Sequence, residues 1–201
     1  MMHRARVFLT GVGGQGTLTA TTLLARTALD EGIPVTSGEI HGMAQRGGVV
    51  ESTLLLGGYL SPTISPGEAD VLLGFELLEI LRALPILKPG GIIVGNAETV
   101  QPVGVCLGRE CYPPLEAVLL AARAHARSTV LVSCQTLAAR AGTVKAANTV
   151  LLGAAAAVGA LPFGLPALAR SIERYLAPKL VPVNRKALDL GAEAAVAEQA
   201  A

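Results

Sequence analysis

Tryptophan is absent from these 201 residues, and phenylalanine and tyrosine number three each. So few aromatics leave no stacking platform for nucleic-acid bases. A net charge of +1 gives no basic face for a phosphate backbone or an anionic membrane surface. Cysteine is scarce as well. Cys106, Cys111 and Cys134 are odd in number and lack a C-x-x-C spacing, which argues against a disulfide framework and falls short of the four thiolates of an ordinary iron–sulfur cluster. Small buried thiols in a reducing compartment account for them. No H-E-x-x-H, no G-x-S-x-G and no Walker lysine appears, so no catalytic residue and no metal-ligand set is marked. Charge is missing from Val150 to Ala169, a span long enough to cross a bilayer. Its alanines and glycines, broken by Pro162 and Pro166, suit a small-residue helix near Lys145–Ala160, buried against a sheet or a partner. His3, Arg4 and Arg6 precede an apolar stretch as in a signal peptide, but the glycines from Gly11 interrupt it at once. A cytoplasmic protein with neither membrane nor nucleic acid among its partners is expected.

What is present is a core and a turn. At 51% hydrophobic, residues 1–201 can bury one good core as a single domain. The short apolar strand Val7-Phe8-Leu9 runs into Gly11-Val12-Gly13-Gly14-Gln15-Gly16. Behind the turn Leu18, Thr22, Ala25 and Leu29 fall at helical spacing, and Gly32 stops that helix. A strand that turns through glycines into a helix N-terminus offers unpaired N–H groups and the positive end of the macrodipole. Gly11, Gly13 and Gly16 match G-x-G-x-x-G, so this turn is a candidate phosphate site as well as a device for close packing of helix on sheet. Glu39 stands near where a dinucleotide fold places its ribose-binding acid. Yet the stretch from Ser37 to Gly48 carries four glycines and no helical stripe before the strand Val49–Leu56. The second crossover is replaced by a Gly-rich loop, which disfavours a free-standing NAD(P)-dependent oxidoreductase.

The rest alternates short strands with amphipathic helices. Val71–Leu73, Ile92–Val94 and Val130–Val132 read as buried strands, and Val103–Leu107 as an edge strand. Leu77, Leu78, Leu81 and Leu84 form one helical stripe. Pro113-Pro114 opens a helix through Ala126 with Leu115, Val118 and Ala122 inward. Leu168, Ile172 and Tyr175 mark another helix, and Asn184 can cap a last one, whose Ala-rich end frays from Ala192. The fold class is α/β, a Rossmann-like three-layer arrangement with a largely parallel sheet.

GVGGQG at 11–16 followed by Glu39-Ile40-His41-Gly42-Met43-Ala44-Gln45-Arg46-Gly47-Gly48 resembles the gamma subunit or domain of the 2-oxoacid:ferredoxin oxidoreductases. Within that family the beta-subunit type of the indolepyruvate enzymes is most similar. The resemblance continues through Ala69–Glu76, Leu87–Gly91, Ala147–Gly153 and Asn184–Gly191, and so covers nearly the whole chain. One departure stands at Leu54-Leu55-Leu56-Gly57, where the family often ends its strand Val-Arg-hydrophobic-Gly.

The resemblance implies an accessory subunit of a complex that oxidatively decarboxylates a 2-oxoacid, indolepyruvate or another aryl pyruvate, with coenzyme A. The products are acyl-CoA, carbon dioxide and reduced ferredoxin. Thiamine diphosphate, magnesium and iron–sulfur clusters are expected in a large partner subunit, because no Gly-Asp-Gly and no cluster cysteine run occurs here. The isolated chain is then expected to be inactive, meeting ferredoxin only through the complex. Gly11, Gly13, Gly14, Gln15 and Gly16 are the candidate ligand loop. Gln45 and Arg46 are candidates for the phosphates of coenzyme A or for an acidic surface of the large subunit, arginine being suited to forked capture of either. An arginine that only fastens its own loop is the alternative. His41 reads as a structural or interface histidine and His125 as a solvated one. A purely structural subunit, its glycine loops serving only packing, also remains open.

Overall fold

The structure is a computed structural model that describes residues 4–41, 48–101, 103–108 and 111–200. Gln45 and Arg46 lie outside the described residues. One six-stranded sheet runs in the order β2-β3-β1-β4-β5-β6. Its strands are β1 (Ala5–Val12), β2 (Val35–His41), β3 (Val49–Leu56), β4 (Ala69–Gly74), β5 (Leu87–Asn96) and β6 (Ala126–Val132). The pairs β1–β4, β4–β5 and β5–β6 are parallel, whereas β3 pairs antiparallel with both β1 and β2. Antiparallel neighbours need no crossover helix. That pairing also moves β2 to the sheet edge, away from β1, so Glu39 is exposed there and remote from the glycine turn.

Strand alternation sends side chains to two cores. From β1, Val7 and Leu9 enter one and Phe8 the other. The first core is covered by α1 (Thr17–Asp30), α5 (Cys134–Ala141), α6 (Ala147–Ala157), α7 (Leu165–Tyr175) and α8 (Val181–Ala200). The second is covered by α2 (Leu77–Ala83) and α4 (Leu115–His125). Helices after neighbouring parallel strands β1 and β4 thus lie on opposite faces, and this opens a crevice beyond their carboxyl ends. Many large side chains are essentially sealed from water, among them Leu9, Leu24, Leu73, Leu151 and Leu152. Each contributes roughly 1.5–3 kcal/mol by burial.

Helices α6 and α8 cross at backbone contact. A Cβ at Gly153 would stand 2.0 Å from the Leu188 carbonyl oxygen, and one at Gly191 would stand 2.0 Å from that of Val150. Only glycine fits either place. The first part of the uncharged span is accordingly in the buried helix α6, its end opens α7, and no described helix is long and apolar enough to cross a membrane.

Several local expectations need correction, among them the inward Leu115 and the buried Cys106 and Cys111, all three of which are exposed. Val103–Cys106 is a short helix, α3, because β6 already occupies the free edge of β5. The inward face of α1 is Ala20, Leu24 and Ala28, while Leu18 and Leu29 are 39% and 60% exposed. Small residues let α1 approach the sheet closely, and that turns Leu18 and Thr22 outward. Asn184 lies inside α8, which starts at Val181 with Pro182 in its first turn, a position proline favours. Finally, α8 stays helical to Ala200 because Ala187, Leu188, Ala192 and Ala195 are buried along it.

Candidate functional site

The glycine turn sits at the carboxyl end of β1, where three of its glycines have different tasks. Gly11 is overlaid by Phe75: a Cβ there would meet the Phe75 Cβ at 2.7 Å. Gly13 donates its N–H to the Gly48 carbonyl at 2.8 Å, tying the turn to the start of β3. Gly16 takes φ of 84°, the left-handed region that favours glycine, and forms the N-cap of α1 without a side-chain cap. No acid stands in the first turn of α1. Gln15 folds back under the turn. Its Oε1 accepts from Val12 N at 2.8 Å and its Nε2 donates to the Phe75 carbonyl at 2.8 Å, clamping the ends of β1 and β4 together.

Beside the turn, on the first core's side, lies a cavity of about 960 Å³. Gly14 and Gly16 form one rim; the turn Val144–Ala146 before α6 forms another. Leu18, Leu176, Leu180 and Val183 supply apolar wall. Among the described residues two cations, Arg26 and Lys145, line it and no carboxylate does. The Arg26 guanidinium stacks on the Tyr175 ring, 4.8 Å from its centroid. At the floor Thr149 Oγ1 donates to Asn184 Oδ1 at 2.6 Å, and Asn184 Nδ2 donates to the Leu180 carbonyl at 2.8 Å. Asn148 Nδ2 reaches the Gly16 carbonyl at 3.4 Å, linking α6 to the glycine turn.

Across the sheet the same carboxyl edge is acidic and closed. Glu76, fully buried, caps α2: its Oε2 accepts from Leu78 N at 2.7 Å and Glu79 N at 3.1 Å. Its Oε1 accepts the Tyr112 hydroxyl. Burial and that hydrogen bond push the Tyr112 phenol well above its ordinary range. Glu79 pairs with Arg82 at 2.7 Å through Oε1, while its Oε2 has no hydrogen-bond partner among the described residues. Burial pushes the Glu79 carboxyl up to about 7. Glu76 and Glu51 add to that rise, and Arg82 opposes it. On the first core's side the start of α5 is closed as well. Glu98 accepts from Gln135 N at 2.5 Å and from Thr136 N at 3.1 Å. Cys134, next to that cap, is buried, and burial with Glu98 nearby raises its thiol far above the usual range. It is a neutral packing group rather than a nucleophile.

Of the residues expected from sequence, Gly14, Gln15 and Gly16 line the cavity, and the amide of Gln15 is spent on the backbone. Gly11 and Gly13 lie behind the turn. His125 Nδ1 lies 2.9 Å from the Ala121 carbonyl on an exposed helix end. Arg26, Lys145, Asn148 and Asn184 went unremarked as site residues, although the last two fall inside the resembling segments 147–153 and 184–191. Among the described residues no group of three His, Cys, Asp or Glu is placed to hold a metal. Cys106 and Cys111 are exposed and Cys134 is buried, a set that does not fit an iron–sulfur cluster.

A model of the family described as pyruvate ferredoxin/flavodoxin oxidoreductase matches residues 6–194. An indolepyruvate oxidoreductase subunit IorB from Pyrococcus horikoshii is 39% identical over 196 residues, covering 96% of this chain and 97% of that one. Among solved structures, a keto/oxoacid ferredoxin oxidoreductase gamma subunit from Geobacter sulfurreducens superposes with a TM-score of 0.69 at 23% identity. It covers 96% of this chain and 99% of its own. A 2-oxoglutarate:ferredoxin oxidoreductase from Magnetococcus marinus, solved with 2-oxoglutarate, coenzyme A and succinyl-CoA bound, superposes at 0.72 with 15% identity. It covers 98% of this chain but only 32% of that larger one. At these identities the two structures speak for the fold.

Proposed function

We propose, because the chain belongs to the pyruvate ferredoxin/flavodoxin oxidoreductase family, that it is the accessory subunit of a 2-oxoacid:ferredoxin oxidoreductase acting on indolepyruvate or another aryl pyruvate. The complex oxidatively decarboxylates the 2-oxoacid with coenzyme A, giving acyl-CoA, carbon dioxide and reduced ferredoxin. The observation that carries this reading is likeness to an IorB subunit at 39% identity along almost the full length of both chains. Thiamine diphosphate, with its magnesium, and the iron–sulfur clusters belong to a large partner subunit, where they supply the carbanion and electron chemistry. This chain's share is position. Its glycine turn at Gly11–Gly16, with Gln45 and Arg46, faces the phosphates of coenzyme A or an acidic surface of the partner. Support comes from the uncapped start of α1 at the crevice beyond β1 and β4.

The test is co-expression with a thiamine- and cluster-bearing large subunit, with the tag on this chain alone. The expected result is a coloured complex that reduces ferredoxin with an aryl pyruvate and coenzyme A, while the chain by itself is colourless and inactive. Turnover or stoichiometric iron in the partner-free chain would overturn the subunit assignment. In the complex, Arg46→Ala raises the KM for coenzyme A or weakens subunit affinity more than Arg46→Lys, since lysine keeps the charge but loses the fork. If Arg46→Ala lowers only thermal stability, the arginine is a loop fastener.

A further inference from the structure

The amino edge of the sheet carries a basic groove that the proposed function does not use. It encloses about 330 Å³ between the starts of β1, β4, β5 and β6 and residues 159–162, which follow α6. Arg4, Lys88 and Arg127 line it, and Asp70 is the one carboxylate among its described lining residues. Asp70 is already spent. Its Oδ1 accepts from Lys88 Nζ, and its Oδ2 accepts the Arg6 backbone N–H at 2.7 Å. Glu68 stands 3.8 Å from the Arg6 guanidinium. Arg4 and Arg127 are left over: both are exposed, and neither makes an ion pair among the described residues. Like charges facing one groove repel until an anion comes between them.

Beside the groove stands an apolar anchor. Gly57 and Gly58 take φ of 98° and 86°, left-handed values that turn the chain out of β3 toward Tyr59. The Tyr59 ring receives two guanidiniums, Arg4 at 5.3 Å and Arg6 at 5.1 Å from its centroid. Arg4 Nε donates to the Gly57 carbonyl at 3.1 Å, and the Thr36 hydroxyl of β2 donates to the Tyr59 carbonyl. The turn is thus fastened to both neighbouring strands, yet Leu60, the next residue, is fully exposed. Arginine and tyrosine held in one geometry beside exposed apolar surface are the residue types on which protein interfaces concentrate their binding energy.

We propose that this groove docks an acidic segment of a partner protein. Arg127 and the Nη groups of Arg4 each take a carboxylate of the segment in the fork that a guanidinium offers. An apolar side chain of the segment covers Leu60. The groove is small, at the lower end of the ~300–1,000 Å³ that ligand sites enclose, and so suits a few side chains. It lies at the edge of the sheet opposite the glycine turn. A partner seated there leaves the crevice beyond β1 and β4 open, and the docking surface stands apart from the proposed function.

The test is fluorescence anisotropy of the labelled peptide Glu-Glu-Leu-Glu-Glu titrated with the full chain at low salt. Inorganic phosphate and a single-stranded oligothymidylate serve as competitors. The expected result is saturable binding that unlabelled peptide displaces and added salt weakens. Arg127→Glu weakens it about tenfold, the size of one charge-assisted hydrogen bond lost. Arg4→Gln and Leu60→Ser each weaken it severalfold. Lys179→Glu, the same charge reversal in the turn before α8, leaves it unaltered. Arg127 is exposed and has no ion pair to lose among the described residues, so its variant keeps the fold even if Arg4→Gln does not. No binding by the wild-type chain at millimolar peptide would overturn the proposal, as would unchanged affinity in Arg127→Glu. Phosphate displacing the label as effectively as the peptide would make the groove a small-anion site. Tighter competition by the oligothymidylate would make it a nucleic-acid surface. Either result also overturns the assignment to an acidic protein segment.

Discussion

The starts of α1 and α2, at the same edge of the sheet but on its two faces, are treated in opposite ways. The start of α2 is closed: Glu76 is fully buried, holds two backbone N–H groups and receives the Tyr112 hydroxyl, while Glu79 packs beside it. The start of α1 is open beside a cavity lined by Arg26 and Lys145, and α6 crosses α8 at backbone contact beneath it. A chain that fills one anion-binding position with its own carboxylate has made it structural. One that leaves the neighbouring position open, at a cost in helix capping, has reserved it.

The largest effects come from removing the floor of the open side. Gly153→Ala and Gly191→Ala each drive a methyl into a carbonyl of the facing helix. Each should cost roughly 3 kcal/mol, the upper end of overpacking penalties, read as a lowered Tm. A Tm unchanged in either variant would mean the helices can separate freely. On the closed side, Glu76→Ala removes a cap and strands the Tyr112 hydroxyl, with an expected loss of about 2 kcal/mol in chemical denaturation. A loss near zero would show that this side, too, is open to water.

Glu79 sharpens the comparison through pH. Its carboxyl ionises near 7 in the folded chain against an ordinary 4.5, so the folded state holds the proton more tightly than the unfolded one. The stability Glu79 contributes is therefore complete below about 4.5 and is lost as pH rises to about 7 and beyond. Glu79→Gln should flatten that decline and raise Tm relative to wild type at pH 8 but not at pH 4. An equal shift at both values would refute the buried-proton account. The smallest effect is on the open side, where Lys145→Ala should change stability by less than about 0.5 kcal/mol, as exposed substitutions do. A large loss there would make Lys145 a structural residue.

Much of this was legible before the fold was known. The strand–glycine–helix unit was visible because the turn chemistry is local, and the buried small-residue helix near Lys145–Ala160, observed as α6, because alanine and glycine have little reason to meet lipid. The loss of a crossover after β2 was readable from four glycines and a missing stripe. The stripe chosen for α1 was the wrong one, because Leu18 and Leu29 outweigh Ala20 and Ala28 in hydrophobicity although the small residues are what close packing requires. That exposed stripe is in part cavity wall, since Leu18 and Thr22 both line it. Lys145 and Arg26 could not be paired from sequence, being far apart along the chain and brought together only when α6 docks against α1. The capping by Glu76 and Glu98 has no sequence signal, because the backbone N–H groups they hold are set by the fold.

The most direct measurement of the division between the two sides is hydrogen exchange on this chain within the assembled complex, with and without coenzyme A. Slowed exchange at residues 14–26 and 143–149, with the Glu76–Glu79 amides unchanged, is the predicted result. Protection confined to the Glu76–Glu79 side, or none at residues 14–26, would contradict the assignment of the open side to the ligand.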